Sequence, residues 1–265
     1  MDSLFGPDSA VWQLHSDFSG LVGGLRALAV QSLEPGALAG VRQFSRFGDH
    51  PDRRLNETVD FIDTVTYAPL DEVKAAIQTV RTLHEPVHGV VPETGSPFSA
   101  NDPYLLSWVH NAMVESVSLA YLSFHPDSPS TLLNRYVSEM GRFAELMGCD
   151  MGEVPGDYAT LNRWVWRQPS LVVNDATVEA FALLDQLRPQ GFVGQVYPVV
   201  MHWIYTSLPR WVTMSLGQNP KPFEEAANWL LLKVGGELSN LIAPPSPRRV
   251  QAQARYANSD DRASQ

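Results

Sequence analysis

The stretch HEPVH sets His84 and His88 four residues apart, with Glu85 directly after the first. Letter for letter this is H-E-x-x-H, in which two imidazoles on one helical face hold zinc and the glutamate acts as general base. Glu115, in a later apolar stretch, is a possible third ligand. Two features oppose a zinc site. Pro86 stands between the two histidines, where it removes a backbone donor and disturbs the helix that must carry both rings, and Gly89 follows at once. The extended pattern with a third histidine also fails, because that position is Thr94.

The elements that would carry these residues are helical. LVGGLRALAVQSL (21–33) spaces Leu21, Leu25, Leu28 and Ala29 as one buried helical face. Gly23 and Gly24 weaken that helix intrinsically, but they permit close approach of a neighbouring backbone or of a flat ligand. A helix over 52–68 turns Leu55, Thr58, Val59 and Ile62 to one side. The next, over 70–89, carries Val73, Ile77, Val80 and His84 in one inward stripe and stops at Gly89.

NDPYLLSWVHNAMVESVSLAYLSF (101–124) opens with Asp102 as N-cap and Pro103 at the first helical position, and lines up Leu106, His110, Met113 and Val117. Further helices fit 128–148, ending at Gly148, and 157–166, 175–187, 194–208 and 223–240, with a loop at 219–222. The expected architecture is an all-α, single-domain helical bundle over 1–243, followed by a mobile tail over 244–265 that lacks apolar periodicity.

Composition narrows the function. Formal charge is −10, and the tail from Pro244 has four arginines against two aspartates, so it is +2 and the remainder −12. A body this acidic does not suit a nucleic-acid phosphate surface. Cys149 is the only cysteine, which excludes an internal disulfide and a cysteine-rich metal site. The first residues lack a signal peptide's basic and apolar regions, and no window resembles a membrane span. The expected location is cytoplasmic. G-x-S-x-G and phosphate-binding loop patterns are absent, and GFVGQVYP (191–198) follows no strand.

Two inward histidines on separate apolar helices remain. A buried neutral imidazole needs hydrogen-bond partners or a metal. Backbone carbonyls would satisfy a core histidine. Haem is the other answer: a single imidazole can hold its iron, and a helical bundle can open an apolar slot for it.

Four segments, in this order, carry a resemblance: GGLRALAVQSLEPGALAGVRQFS (23–45), RRLNETVDFI (53–62), VRTLHEPVHG (80–89) and SANDPYLLSWVHNAM (99–113). Together they resemble the MpaB and latex-clearing-protein family, which includes the rubber-oxygenase catalytic domain, over roughly residues 10–155. The resemblance implies a helical protein that binds haem b through one histidine. The family's pattern of His, two residues, an aliphatic, one residue and Gly matches His84, Val87 and Gly89, which makes His84 the iron ligand and HEPVH a coincidental zinc match. The family's distal Arg-x-x-x-Thr matches Arg54 and Thr58, which one helical face can present together. His110 matches its W-V-H segment as a residue supporting the pocket, and Gly24 lies on the segment expected to line it.

The sequence also departs from the family. Glu34 stands where many members have His before Pro, and Glu57 stands where they carry Arg or Lys, so rubber cleavage is not the expected reaction. The resulting expectation is a haem b-dependent oxygenase or peroxygenase that uses O₂ or peroxide on a small organic molecule. Arg54 and Thr58 would handle the oxidant, and Glu57 would be a base or a solvated residue. The alternatives are a non-catalytic haem or lipid carrier and, behind it, a zinc hydrolase.

Overall fold

The computed structural model describes residues 3–44, 51–187, 191–218 and 245–263 and part of 229–240, with backbone alone at 44, 51–55, 191–193 and 259–263. The expected loop at 219–222 and much of the expected helix over 223–240 lie outside the described residues. The described chain is an all-α body. Its helices are α1 (Ala10–His15), α2 (Phe18–Gln31), α3 (Pro35–Phe44), α4 (Pro51–Tyr67), α5 (Leu70–His84), α6 (Pro103–Phe124), α7 (Ser130–Met147), α8 (Tyr158–Trp166), α9 (Asp175–Gln186), α10 (Gly191–Thr206), α11 (Arg210–Ser215) and a C-terminal helix (Pro247–Ala263). Between α5 and α6, the strands β1 (His88–Val90) and β2 (Pro97–Ser99) pair antiparallel with His88 opposite Ser99.

Local chemistry sets several boundaries. Asp102 accepts hydrogen bonds from the amides of Tyr104 and Leu105 and so caps α6, with Pro103 at its first position. α7 stops at Gly148, whose φ of 87° is left-handed. There the Arg81 guanidinium donates to the Met147 carbonyl at 3.2 Å, placing a cation on the negative end of α7. α5 ends at His84, short of the expected Gly89. Pro86 cannot extend the helix, so the chain turns and His88 begins β1.

α2 and α6 form the centre. Both are buried on most sides, so the single stripes expected of them understate their burial. Gly23 allows their close contact: a Cβ there would lie 2.5 Å from Val117 Cα and 2.9 Å from the Ser116 carbonyl oxygen. Gly24, in contrast, faces open space.

Beside this contact lies a buried ion pair. Arg26 of α2 and Glu115 of α6 are both fully buried, with Arg26 Nη1 2.6 Å from Glu115 Oε2. The same nitrogen donates to Ser116 Oγ at 2.7 Å, and Arg26 Nε donates to Ser207 Oγ at 2.8 Å. The other Glu115 oxygen accepts from Asn162 Nδ2 at 3.0 Å and Trp166 Nε1 at 3.3 Å. Burying two charges is tolerable only when the remaining donors and lone pairs are satisfied in this way.

Two expectations are corrected at the surface. Thr58 and Val59 of α4, expected to face inward, are exposed; α4 is buried only over Thr64–Ala68, where it meets the body. The stretch expected as a mobile tail forms the C-terminal helix, which packs on α4. Two small anchors explain it: Ala252 is buried, and the Tyr256 ring meets Trp12 edge-on with centroids 5.9 Å apart. An apolar pair this sparse carries little periodic signal.

Gly23→Ala should destabilise the protein by roughly 1–3 kcal/mol or more through overpacking. Gly24→Ala should stabilise it by about 0.5–1 kcal/mol, because it removes a helix-interior glycine without a clash. Chemical denaturation of the two variants tests the contrast. Glu115→Ala, which leaves the Arg26 charge buried and unpaired, should cost about 3–5 kcal/mol. Arg26→Met combined with Glu115→Leu should cost clearly less than the two single changes summed.

Candidate functional site

α4 and α5 are joined by only Ala68 and Pro69 and contact each other, so they form the two arms of a helical hairpin. Arg54 lies 13 residues before Tyr67 at the end of α4, and His84 lies 14 residues after Leu70 at the start of α5. At 1.5 Å rise per residue, both stand about 20 Å from the turn, at the far end of the hairpin.

Burial changes along both arms. On α4, Val65 is buried, Phe61 is half-buried and Thr58 is exposed. These positions and Arg54 are spaced 4, 3 and 4 and share one helical face. On α5, Val73 and Ile77 are buried, while Val80 and His84 are half-buried. The hairpin is therefore embedded at its turn and open at its far end. Val59 and Leu83, next in sequence to Thr58 and His84, are 44% and 63% exposed, which leaves apolar surface uncovered there.

Aromatic rings connect this hairpin to the core. Phe61 of α4 lies 6.1 Å from Phe143 of α7, which lies 5.9 Å from the His110 ring on α6. His110 is buried, and its Nδ1 has no hydrogen-bond partner. Burial lowers its pKa to about 4, so the ring is neutral at ordinary pH. His84 closes the inward stripe of α5, and its Nδ1 is inaccessible to solvent. Glu57 and Thr58 are exposed on one turn of α4. The Arg54 side chain lies outside the described residues.

The Arg54–Thr58 segment and His84 lie a similar length of helix from the turn, and the ring chain links Phe61 of α4 to His110. Gly24 is not brought there. It lies on α2, and the close approach expected of the glycine pair belongs to Gly23.

The zinc reading is overturned. His84 ends a helix, Glu85 caps it and His88 lies on β1, so the two histidines share no helical face. Glu115 is committed to Arg26. Among the described residues no group of three or more histidine, cysteine or acidic side chains is arranged to hold a metal ion. Cys149 is buried, which pushes its thiol up to about 11 and makes it a poor nucleophile. Glu34, the departure before Pro35, is a buried helix cap whose carboxylate accepts from the Ala37 amide at 2.7 Å.

The residues fit a flat apolar group held by one imidazole. A histidine stands at the open end, uncovered apolar surface flanks it, and a second, neutral imidazole below has an unused ring nitrogen. One more histidine escaped notice in the sequence. His15 Nδ1 lies 2.8 Å from Thr66 Oγ1 and its Nε2 lies 2.9 Å from the Tyr136 hydroxyl. Thr66 Oγ1 already donates to the Ile62 carbonyl, so it accepts from Nδ1–H, and Nε2 accepts from Tyr136. Burial lowers the His15 pKa to about 4 as well.

These two histidines make folding sensitive to acid. Their folded pKa values lie below the usual 6.5, so between pH 6.5 and 4 the unfolded chain binds more protons and stability falls as pH falls. Each should withdraw roughly 3 kcal/mol across that window. Glu34 and Asp63, raised by burial, act in the opposite direction but are only partly buried. Melting temperature should therefore drop from pH 7 to pH 4, and His15→Phe should flatten part of the drop. A pH-independent melting temperature would contradict this.

No curated protein and no solved structure matches the chain. Residues 12–235 match the model of the family described as ER-bound oxygenase mpaB/B'/Rubber oxygenase, catalytic domain. That span extends well past the point near residue 155 where the resemblance in sequence fades. Covering most of the chain, the match shows that it belongs to this family of oxygenase catalytic domains.

Proposed function

We propose that this chain is a haem b-dependent oxygenase or peroxygenase acting on a small organic molecule with O₂ or peroxide. Membership of an oxygenase family supports the reaction class. The rest is supported by the hairpin: α4 and α5 are consecutive and in contact, His84 and the Arg54–Thr58 segment lie a similar length of helix from their turn, and Val59 and Leu83 beside them are exposed.

Bound haem would supply the oxygen chemistry. His84 is the residue that would hold the iron, through one ring nitrogen. Arg54 would supply a guanidinium to stabilise negative charge on the oxidant, and Thr58, one turn along, would supply a hydroxyl donor. Glu57 is exposed on that turn. His110 stays neutral beside Phe143, with Nδ1 available to a polar group. The uncovered Val59 and Leu83 give an apolar substrate or the porphyrin edge a surface to bury. The same surface would suit a non-catalytic haem or lipid carrier, which haem-dependent turnover separates from an oxygenase. Among the described residues no helix is long and apolar enough to cross a membrane.

The visible spectrum of the purified chain tests the proposal first, through a Soret band that appears on titration with hemin. His84→Ala should abolish that band, while His88→Ala, altered on exposed β1, should keep it. Equal loss in both variants would reject the single-ligand assignment. Arg54→Ala should retain hemin and lose on the order of 10²–10³ in turnover, the usual cost of removing one preorganised donor. Arg54→Lys should rescue only in part, because an ammonium lacks the planar fork. Normal turnover by hemin-saturated Arg54→Ala would exclude the distal role.

A further inference from the structure

The stretch SANDP (99–103) lies between β2 and α6. Asp102 and Pro103 start α6, but Ser99, Ala100 and Asn101 have no part in the proposed function. These three residues lie against the end of α5, on both sides of His84. Ala100 donates its amide to the Val87 carbonyl at 2.8 Å, three residues after His84. Asn101 donates from Nδ2 to the Arg81 carbonyl at 2.9 Å, three residues before it. Val87 in turn donates its amide to the His84 carbonyl at 2.9 Å. His84 thus stands midway between two hydrogen bonds made by consecutive residues.

The end of α5 leaves the Arg81 carbonyl open to such a partner. The last carbonyls of a helix lack donors within it. Here the Glu85 amide turns to the Thr82 carbonyl at 3.2 Å rather than to Arg81, and Pro86 has no N–H to offer. Asn101 supplies the donor from a fixed position. Its own amide donates to Ser99 Oγ at 3.3 Å, the Asp102 amide donates to the Ser99 carbonyl at 2.9 Å, and the Asp102 side chain caps α6. At its other end the segment pairs with β1, Ser99 opposite His88. Asn101 Oδ1 is buried and has no hydrogen-bond partner. A half-satisfied buried amide costs stability, so stability alone does not explain an asparagine at this position.

We propose that residues 99–102 form a strap that fixes the turn carrying His84, and that Asn101 is a positioning residue for its imidazole. Asn101 acts through the Arg81 backbone and touches neither cofactor nor substrate. Its bearing on the iron rests on the haem reading above; its grip on the turn does not.

Hydrogen–deuterium exchange on the full-length, haem-free chain tests the strap. Asn101→Asp keeps the side-chain shape and removes the donor. Amides of 82–90 should then exchange on the order of tenfold faster, while α2 and the middle of α6 keep their protection. Unchanged exchange over 82–90, or equal acceleration in α2, would overturn the strap. With hemin bound, Asn101→Asp should still take one hemin, because His84 is untouched. It should hold that hemin about 10–100-fold less tightly, the usual loss when a group orienting a ligating histidine is removed. Its ferric electron paramagnetic resonance signal should broaden as the imidazole loses its fixed orientation. Gly23→Ala, which weakens the core away from this turn, should leave that signal sharp. An unchanged signal and affinity in Asn101→Asp, or the same broadening in Gly23→Ala, would make Asn101 a general stabiliser and overturn its positioning role. If Asn101→Asp does not fold, Asn101→Ser is read by the same criteria. Faster exchange over 82–90 in Asn101→Asp, beside a parent chain that binds no hemin at all, would sink the haem reading and leave the strap standing.

Discussion

The structure depends on two charges that water never reaches. Arg26 and Glu115 tie α2 to α6 at the one level where Gly23 lets the two backbones nearly touch. These features need each other. Without the glycine the helices stand too far apart for the guanidinium to reach Glu115, Ser116 and Ser207 together. Without the full set of partners, buried charge would push the helices apart. The network then recruits α8 through Asn162 and Trp166, and the end of α10 through Ser207. This central frame is rigid, and the hairpin of α4 and α5 projects from it.

Rigidity and openness are thus divided along the chain. The core buries large aromatic and aliphatic side chains around α6, and its polar groups are mostly paired. The hairpin joins that core at its turn, and its described residues grow more exposed away from it. His110 stands at the boundary, with its ring in the core and one nitrogen unpaired.

Much of this was legible in the sequence, and the exceptions have physical causes. Asp102, Pro103 and Gly148 announce their helix ends because capping is local chemistry. His84 falls in its stripe because Val73, Ile77 and Val80 set a period. Pro86 warned against a helix through HEPVH, although the end at His84 and the following strand had to be seen. Arg26 and Glu115 were not legible as a pair. Eighty-nine residues separate them, and a charge within an apolar run does not say which distant charge it meets. Even so, an arginine inside LRALAV and a glutamate inside MVESVSLA were visible oddities that could have been matched. Thr58 and Val59 follow a regular period, yet they are exposed, because periodicity gives a face and not what covers it. The C-terminal helix was missed because Ala252 and Tyr256 are too few to form a pattern.

The Arg81 cap on α7 reaches further than the strength of one hydrogen bond. Arg81 sits one turn before His84, and its own carbonyl accepts from Asn101 Nδ2 at 2.9 Å. This turn of α5 is thus tied by a side chain to the end of α7 and by its backbone to the residues before α6. Gly148 therefore serves twice: its left-handed backbone stops α7, and its missing side chain leaves the space that the Arg81 guanidinium occupies.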